Sequence, residues 1–160
     1  MTPHGYEAVV SYFGDPHFDG TTVDPKWENN NMVMARDLPL VTHSIYCHKY
    51  VEGPLRAALT ACAALNDGYP IRKIGCFNPR LIRGSTDHVS MHTFGIAFDI
   101  NADQNPLIIG CPEGDPRRLD PRASDIPLGW IALWEQAGFF WGGRFSQRFD
   151  PQHFQLATGC

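Results

Sequence analysis

The sequence predicts an α+β fold in which helices flank a small, mostly antiparallel sheet. Two segments have apolar residues at helical spacing, and several short segments alternate between apolar and polar residues as strands do. The chain has 160 residues, of which 43% are hydrophobic and 19% charged, a composition typical of a folded protein rather than a disordered one. We therefore expect residues 1–160 to form a single domain.

The first helix is predicted over residues 53–66. Pro54 suits a first helical turn, apolar residues recur at helical spacing behind it, and the residues 66–68, Asn-Asp-Gly, provide a stop. The residues before this helix are rich in Gly, Pro, Asn and Asp. We predict that residues 1–50 form an ordered N-terminal arm of turns and short strands packed on the core.

The second helix is predicted to end at Ala137, with Ser124 or Asp125 as its N-terminal cap. Pro127 would lie in its first turn, and Gly138 is placed to terminate it. The alternating segments predict strands over residues 71–77, 96–100, 139–141 and 152–156. Loops are expected over residues 83–90 and 102–123.

Charge and cysteine content exclude several classes of protein. The net charge is −4, and no basic stripe suggests a nucleic-acid partner. We see neither a signal peptide nor an apolar run long enough to span a bilayer, so membrane insertion is not expected. The five cysteines form no C-x-x-C pair, which argues against a disulfide framework and a cysteine zinc site. We expect free thiols, a reducing compartment of synthesis and a monomer.

Four residues near two short motifs are candidates for a metal site. Asp99 falls on the polar face of an alternating strand, opposite Phe98, and His153 is set off from its apolar neighbours in the same way. Imidazole and carboxylate suit zinc, and a catalytic site uses three protein ligands. His92 could converge with Asp99 because Gly95 lets the chain turn between them. Asp150 could reach the same centre as general base.

Each of these residues also has a plainer explanation. A histidine is more often a surface residue or a hydrogen-bonded core residue than a ligand. Asp99 could cap a turn, and Asp150 followed by Pro151 is ordinary turn chemistry. The chain has no helical H-E-x-x-H motif, so spacing alone does not establish a metal site.

Two ordered motifs resemble those of a known family. The first has the pattern Ser90-x-His92-x-x-Gly95-x-Ala97-x-Asp99. The second combines Trp141-Gly142-Gly143 with Asp150-x-x-His153-Phe154. Together they resemble the zinc D-alanyl-D-alanine carboxypeptidase family, and within it the L-alanyl-D-glutamate endopeptidase branch found in bacteria and phage endolysins. This resemblance covers roughly residues 74–101 and 138–156 and implies a hedgehog/DD-peptidase-like fold.

The resemblance implies a role for each motif residue. It makes His92, Asp99 and His153 the ligands of one catalytic Zn²⁺ ion and Asp150 the general base. The carboxypeptidase and dipeptidase branches more often have Glu as the base, so Asp150 together with Gln155 favours the endopeptidase branch.

The family also places an arginine near the substrate carbonyl, upstream of the first ligand. Arg80 and Arg83 are both candidates, and we prefer Arg80 because it directly follows a predicted strand. Either could instead form an exposed salt bridge. Ser90 could bind substrate or orient a ligand, or act only in a local turn. Trp141 could line the cleft, although aromatic core packing is the simpler explanation.

The function implied by the resemblance is zinc-dependent hydrolysis of peptidoglycan stem peptides, in the manner of an endolysin. A D-alanyl-D-alanine carboxypeptidase or dipeptidase is the near alternative. An inactive zinc-containing module that binds the wall or a protein is the alternative of a different class, although neither the base nor a ligand is missing. Because no export signal is visible, we expect synthesis in the cytoplasm and action on the bacterial wall after phage-lysin-like release or leaderless export.

Overall fold

The structure is a computed structural model that describes residues 2–160. Its α-helices are α1 (Tyr6–Phe13), α2 (Pro25–Asn31), α3 (Glu52–Leu65) and α4 (Leu128–Gln136). Its strands are β1 (Met32–Ala35), β2 (Ile45–His48), β3 (Ile74–Gly75), β4 (Ala97–Ile100), β5 (Ile108–Ile109), β6 (Phe140–Trp141), β7 (Arg148–Phe149) and β8 (His153–Gln155). Short 3₁₀ helices span Met91–Phe94, Pro116–Leu119 and Gly142–Arg144.

A four-stranded sheet in the order β3-β4-β8-β6 forms the centre of the molecule, and every neighbouring pair in it is antiparallel. Phe98 on β4 lies opposite Phe154 on β8. The Trp134 ring of α4 packs 4.8 Å from the Phe154 ring, centroid to centroid. Aromatic burial on one face therefore fixes the register of the two central strands. The predicted α+β fold with a small antiparallel sheet is confirmed.

The predicted bounds of α3 agree with the structure to within one residue, but the predicted cap of α4 is wrong. Pro127 occupies the N-cap position of α4, with no side-chain cap. Ser124 and Asp125 instead bind Asn105: the Ser124 hydroxyl donates to its side-chain oxygen at 2.7 Å, and Asp125 accepts from its side-chain nitrogen at 2.9 Å. These side chains fasten the preceding loop, so they are not free to cap the helix.

The N-terminal arm differs in content from the prediction of turns and short strands. It contains the helices α1 and α2 besides the antiparallel pair β1 and β2. Val9 and Phe13 of α1 are buried in the main core. Asp24 accepts a hydrogen bond from the Lys26 backbone N–H and caps α2, with Pro25 in its first turn. The Asp24-Pro25 pair thus begins a helix within the segment predicted to form turns and short strands.

Arg118 fastens the loop predicted over residues 102–123 to the segment around β7. Its guanidinium donates to four backbone carbonyls, those of Cys111, Gly143, Phe145 and Arg148. The loop also contributes β5, which pairs with β7. Sequence alternation did not reveal this two-residue pairing.

The strand predicted over residues 71–77 is shorter in the structure, since only Ile74–Gly75 pairs with β4.

All five cysteines are free thiols, as expected. Burial raises the pKa of Cys47 and of Cys62 to about 12. Among residues 2–160, no helix combines the length and the apolar character needed to cross a membrane.

Candidate metal centre

The three predicted ligands converge at one end of β4 and β8. Asp99 on β4 lies directly opposite His153 on β8. His92 belongs to the 3₁₀ helix Met91–Phe94, which precedes β4 and is capped by the Ser90 side chain. The register of two strands and one capped turn thus brings together residues that are 54 positions apart in sequence.

Gly95 allows the chain to turn from this 3₁₀ helix into the strand. Its φ is +65°, in the left-handed region that favours glycine. A Cβ atom at this position would lie 3.0 Å from the backbone nitrogen of His48 and closer still to the Met32 side chain. The glycine therefore serves the turn predicted from the motif and also allows close packing against β1 and β2.

The ligand atoms are close together and shielded from solvent. His153 Nδ1 lies 3.0 Å from Asp99 Oδ1, and His92 Nε2 lies 3.1 Å from Asp99 Oδ2. One ligand atom from each residue can be chosen so that all three lie within 4.8 Å of one another. Both histidines are buried, and Asp99 is half-buried. His92 Nε2 nevertheless forms no hydrogen bond of acceptable geometry with any residue from 2 to 160.

Hydrogen bonds to the outer nitrogens favour particular histidine tautomers. His92 Nδ1 lies 2.7 Å from the Cys76 carbonyl oxygen, which can only accept. His153 Nε2 lies 2.9 Å from Gln155 Oε1, and the Gln155 amide is oriented by donating to the Ala157 carbonyl at 3.1 Å. Each outer nitrogen therefore carries a proton. In the neutral rings, both inner nitrogens direct lone pairs towards Asp99.

This arrangement of donors fits a zinc ion. Two imidazole lone pairs and a carboxylate facing one another repel unless a cation lies among them. Metal-bound histidines typically donate their other N–H to a carbonyl or side-chain oxygen, as both histidines do here. Tetrahedral zinc with bonds of about 2.1 Å would place its ligand atoms about 3.4 Å apart. Asp99 presents a different oxygen to each histidine, Oδ1 at 3.0 Å from His153 and Oδ2 at 3.1 Å from His92, and both distances are somewhat shorter than that spacing.

The pKa shifts at the centre follow from the same contacts. Burial acts to raise the pKa of Asp99, but the hydrogen bond with His153 and the neighbouring His92 outweigh it and hold this pKa well below its usual range. Burial acts to lower the pKa of His153, and Asp99 outweighs it, so this pKa is raised. In both groups the contact between Asp99 and the histidines favours the charged form, a carboxylate beside a positive charge.

Asp150 lies beside the centre with an unpaired carboxylate oxygen. Its Oδ1 is buried and has no hydrogen-bond partner among residues 2–160. Burial, with a smaller contribution from the charge of Asp99, raises the pKa of Asp150.

Gly142 explains part of the Trp-Gly-Gly motif, because a Cβ atom there would lie 2.6 Å from the Asp150 carbonyl oxygen and 2.9 Å from the Cβ of His153. Glycine thus allows the turn to lie against Asp150 and His153.

A cleft opens over the centre and contains most of the remaining predicted residues. Asp99, Asp150 and His153 line it, as do Arg80 and Arg83. Ser90 lines it too, and its hydroxyl accepts from the His92 backbone N–H at 3.3 Å. Ser90 therefore supports the turn that carries His92.

Trp141 lies outside the lining of this cleft. Its indole N–H donates to the Pro151 carbonyl at 2.8 Å, and its ring packs edge-on against Phe149. Its contacts are those of a packing residue beneath the segment that carries Asp150. Its assignment as a substrate-binding residue stays a prediction.

Sequence reasoning did not assign several residues to the site. Gln155 binds the outer nitrogen of His153, and the Cys76 carbonyl binds that of His92. Arg148 and Phe145 line the cleft. Alternation along β8 places Gln155 on the same face as His153, a signal that could have identified it. Nothing in the sequence pointed to Cys76, because a backbone carbonyl has no residue-specific signature.

Comparison with known proteins gives one family match. Residues 83–156 match the family model described as D-alanyl-D-alanine carboxypeptidase. The matched range includes the three metal-ligand candidates and Asp150 but not Arg80, and it spans somewhat less than half of the chain. Neither the curated proteins nor the solved structures contain a significant match.

Proposed function

We propose that this chain is a zinc-dependent peptidase that hydrolyses peptidoglycan stem peptides, with His92, Asp99 and His153 as the metal ligands. The family match supports a peptidase. The observation that carries the metal assignment is the pair of inner histidine nitrogens facing Asp99 while both outer nitrogens are hydrogen-bonded. A bound zinc ion would supply Lewis acidity, which polarises a scissile carbonyl and lowers the pKa of water.

Asp150 acts as the general base in this proposal. Its unpaired, buried carboxylate oxygen is free to accept a proton from the attacking water and to deliver it to the leaving amine nitrogen. A raised pKa brings this carboxyl closer to the operating range of a base that must also act as an acid. Arg80, half-buried in the cleft wall, is the candidate for stabilising negative charge that develops on the carbonyl oxygen.

We assign the bond between L-alanine and D-glutamate as the one cleaved. The support for this choice over a D-alanyl-D-alanine carboxypeptidase is the aspartate base at Asp150 and the glutamine at Gln155, in a motif that resembles the endopeptidase branch. The family model that matches carries the carboxypeptidase description. Both reactions use the same four residues, so the products decide between them. In this proposal the protein acts on the bacterial wall.

The test is to digest purified peptidoglycan with the zinc-loaded protein and identify the released termini by mass spectrometry. We expect new D-glutamate amino termini, and loss of activity when a chelator removes the metal. Asp150→Asn should retain stoichiometric zinc but lose at least about a thousandfold in turnover, because it keeps the shape of the side chain without its basicity.

Asp37→Asn is the matched control, since Asp37 is exposed and lies outside the cleft. This control should cleave at the parental rate. Release of free D-alanine instead of D-glutamate termini would replace the endopeptidase assignment by the carboxypeptidase one. Zinc binding without any cleavage would indicate an inactive zinc-containing module.

A further inference from the structure

The arginines of this chain differ sharply in how they are paired. Of its ten arginines, five form salt bridges with carboxylates, and Arg118 donates to four backbone carbonyls. The four without a carboxylate partner among residues 2–160 are Arg36, Arg80, Arg83 and Arg148. Three of these four line the cleft over the candidate metal centre, and Arg36 does not. The unpaired guanidinium groups are therefore concentrated where a substrate would bind.

Arg148 is held in place by an aromatic ring rather than by a carboxylate. Its guanidinium carbon lies 4.6 Å from the centroid of the Phe145 ring, and that ring lies 5.8 Å from the ring of His153. Stacking on an aromatic face leaves the N–H donors at the edge of the guanidinium free for a bidentate partner. Arg148 is also two residues from Asp150, so its charge lies close to the proposed base.

Arg83 extends this positive surface along the rim. Both Arg83 and Arg148 line the cleft, and both also line the groove that adjoins it. Asp87 in that groove is hydrogen-bonded to Ser85 and His88 rather than to either arginine.

The charges in the cleft favour an anionic substrate. The acidic side chains in its lining are Asp99 and Asp150, against the three arginines. In the proposed function Asp99 is a metal ligand, and a divalent ion adds two further positive charges. The cleft is then strongly positive although the whole chain has a net charge of −4.

We infer that Arg148, with Arg83 beside it, selects peptides that carry a free carboxylate next to the scissile bond. This inference rests on the proposed function and deepens it by naming the chemical feature that the cleft recognises. In a stem peptide that feature is the α-carboxylate of D-glutamate, which directly follows the bond to L-alanine. A peptide in which this carboxylate is amidated has the same shape and lacks the charge.

The experiment compares two synthetic substrates, N-acetyl-L-alanyl-γ-D-glutamyl-L-lysine and the same peptide with its D-glutamate α-carboxylate amidated. For the zinc-loaded wild type we expect kcat/KM to be at least about tenfold higher on the acid, because charged hydrogen bonds are stronger than neutral ones. Arg148→Gln should lower kcat/KM on the acid by about 10- to 100-fold and change that on the amide by less than about threefold. Arg36→Gln, which removes an exposed unpaired arginine outside the cleft, should leave both values unchanged.

Equal losses on acid and amide in Arg148→Gln, or no preference in the wild type, would overturn the inference. A second arm measures binding without turnover, by calorimetry on zinc-loaded Asp150→Asn. The acid should bind about tenfold or more tightly than the amide, and adding Arg148→Gln should abolish that difference. If the wild type cleaves neither peptide while this binding preference holds, the proposed reaction fails and the carboxylate site stands. Equal binding of acid and amide overturns the carboxylate site by itself.

Discussion

At the scale of single residues, the hydrogen bonds to the outer nitrogens of His92 and His153 are as informative as the candidate ligand atoms themselves. His92, Asp99 and His153 were predicted as ligands from two motifs, and the structure brings them together. The acceptors behind the two histidines could not be assigned in the same way, because their roles depend on strand register and backbone direction. Gln155 was noted only as a feature of the motif, and the structure shows it binding the outer nitrogen of His153.

Gln155→Leu tests how much the hydrogen bond between Gln155 and His153 contributes to metal binding. Leucine removes the acceptor and leaves the buried Nε2–H of His153 without a partner, so the ring loses the contact that orients its inner nitrogen. We expect zinc affinity, measured by competition with a chromophoric chelator, to fall about 10- to 100-fold. Gln152→Leu is the control, because Gln152 lines the same cleft without a side-chain bond to a ligand. Unchanged affinity in Gln155→Leu would show that Gln155 is only a packing residue.

At the scale of elements, the predicted bounds were accurate where the spacing of apolar residues agreed with the residues that end a helix or strand. The helix Glu52–Leu65 and the strand Ala97–Ile100 both lie within one residue of their predicted bounds. It failed where a side chain had two possible uses, as at Asp24, which caps a helix, and Ser124, which does not. Such choices depend on which neighbours the fold brings near, and local sequence does not encode them.

Arg118 satisfies backbone carbonyls of neighbouring segments, much as a capping side chain satisfies the end of a helix. It connects the loop that contains it to the turn and strand between Gly143 and Arg148. We expect Arg118→Gln to lower the free energy of unfolding, measured by urea denaturation, by about 2 kcal/mol, because several carbonyls lose a charged donor in a half-buried setting. Activity should fall as well, since the same segment leads into Asp150.

Arg122→Gln provides the comparison for Arg118. Among residues 2–160 the Arg122 side chain pairs with Asp120 alone, in an exposed salt bridge, so this variant should lower the free energy of unfolding far less than Arg118→Gln does. A loss in Arg118→Gln no larger than this would mean that the loop is held by the small apolar cluster of Cys111, Ala123 and Phe149 instead.

At the scale of the whole molecule, a buried histidine that takes no part in the proposed chemistry links stability to pH. His48 is fully buried, lies 3.1 Å from the Phe13 carbonyl through Nε2 and accepts from the Tyr50 backbone N–H through Nδ1. Burial lowers its pKa to about 4, with a smaller effect from Lys49, although the bond to Phe13 opposes this. The neutral form is favoured in the folded state. This contribution to stability is therefore present above the unfolded pKa of about 6.5 and is lost as the pH falls towards 4.

The measurement is the difference in unfolding free energy between wild type and His48→Gln, taken at pH 7.5 and at pH 5. We expect this difference to shrink by about 2 kcal/mol at the lower pH, because only the wild type must bury a protonatable ring there. His43→Gln removes an exposed histidine and should give a difference that does not depend on pH. A difference for His48→Gln that is the same at both pH values would mean that folding does not shift the pKa of His48.

The position of β8 has a consequence for how the cleft can move. This strand is paired on both sides, by β4 and by β6, and each of its residues is buried. Opening it would break the centre of the sheet, so its fluctuations should be close to global unfolding in free energy. The rim from Arg83 to His88 is mostly exposed, and Ser85, Asp87 and His88 bind chiefly one another. In the proposed function, a peptide would enter and its fragments would leave past this exposed rim, over a floor that the sheet keeps rigid.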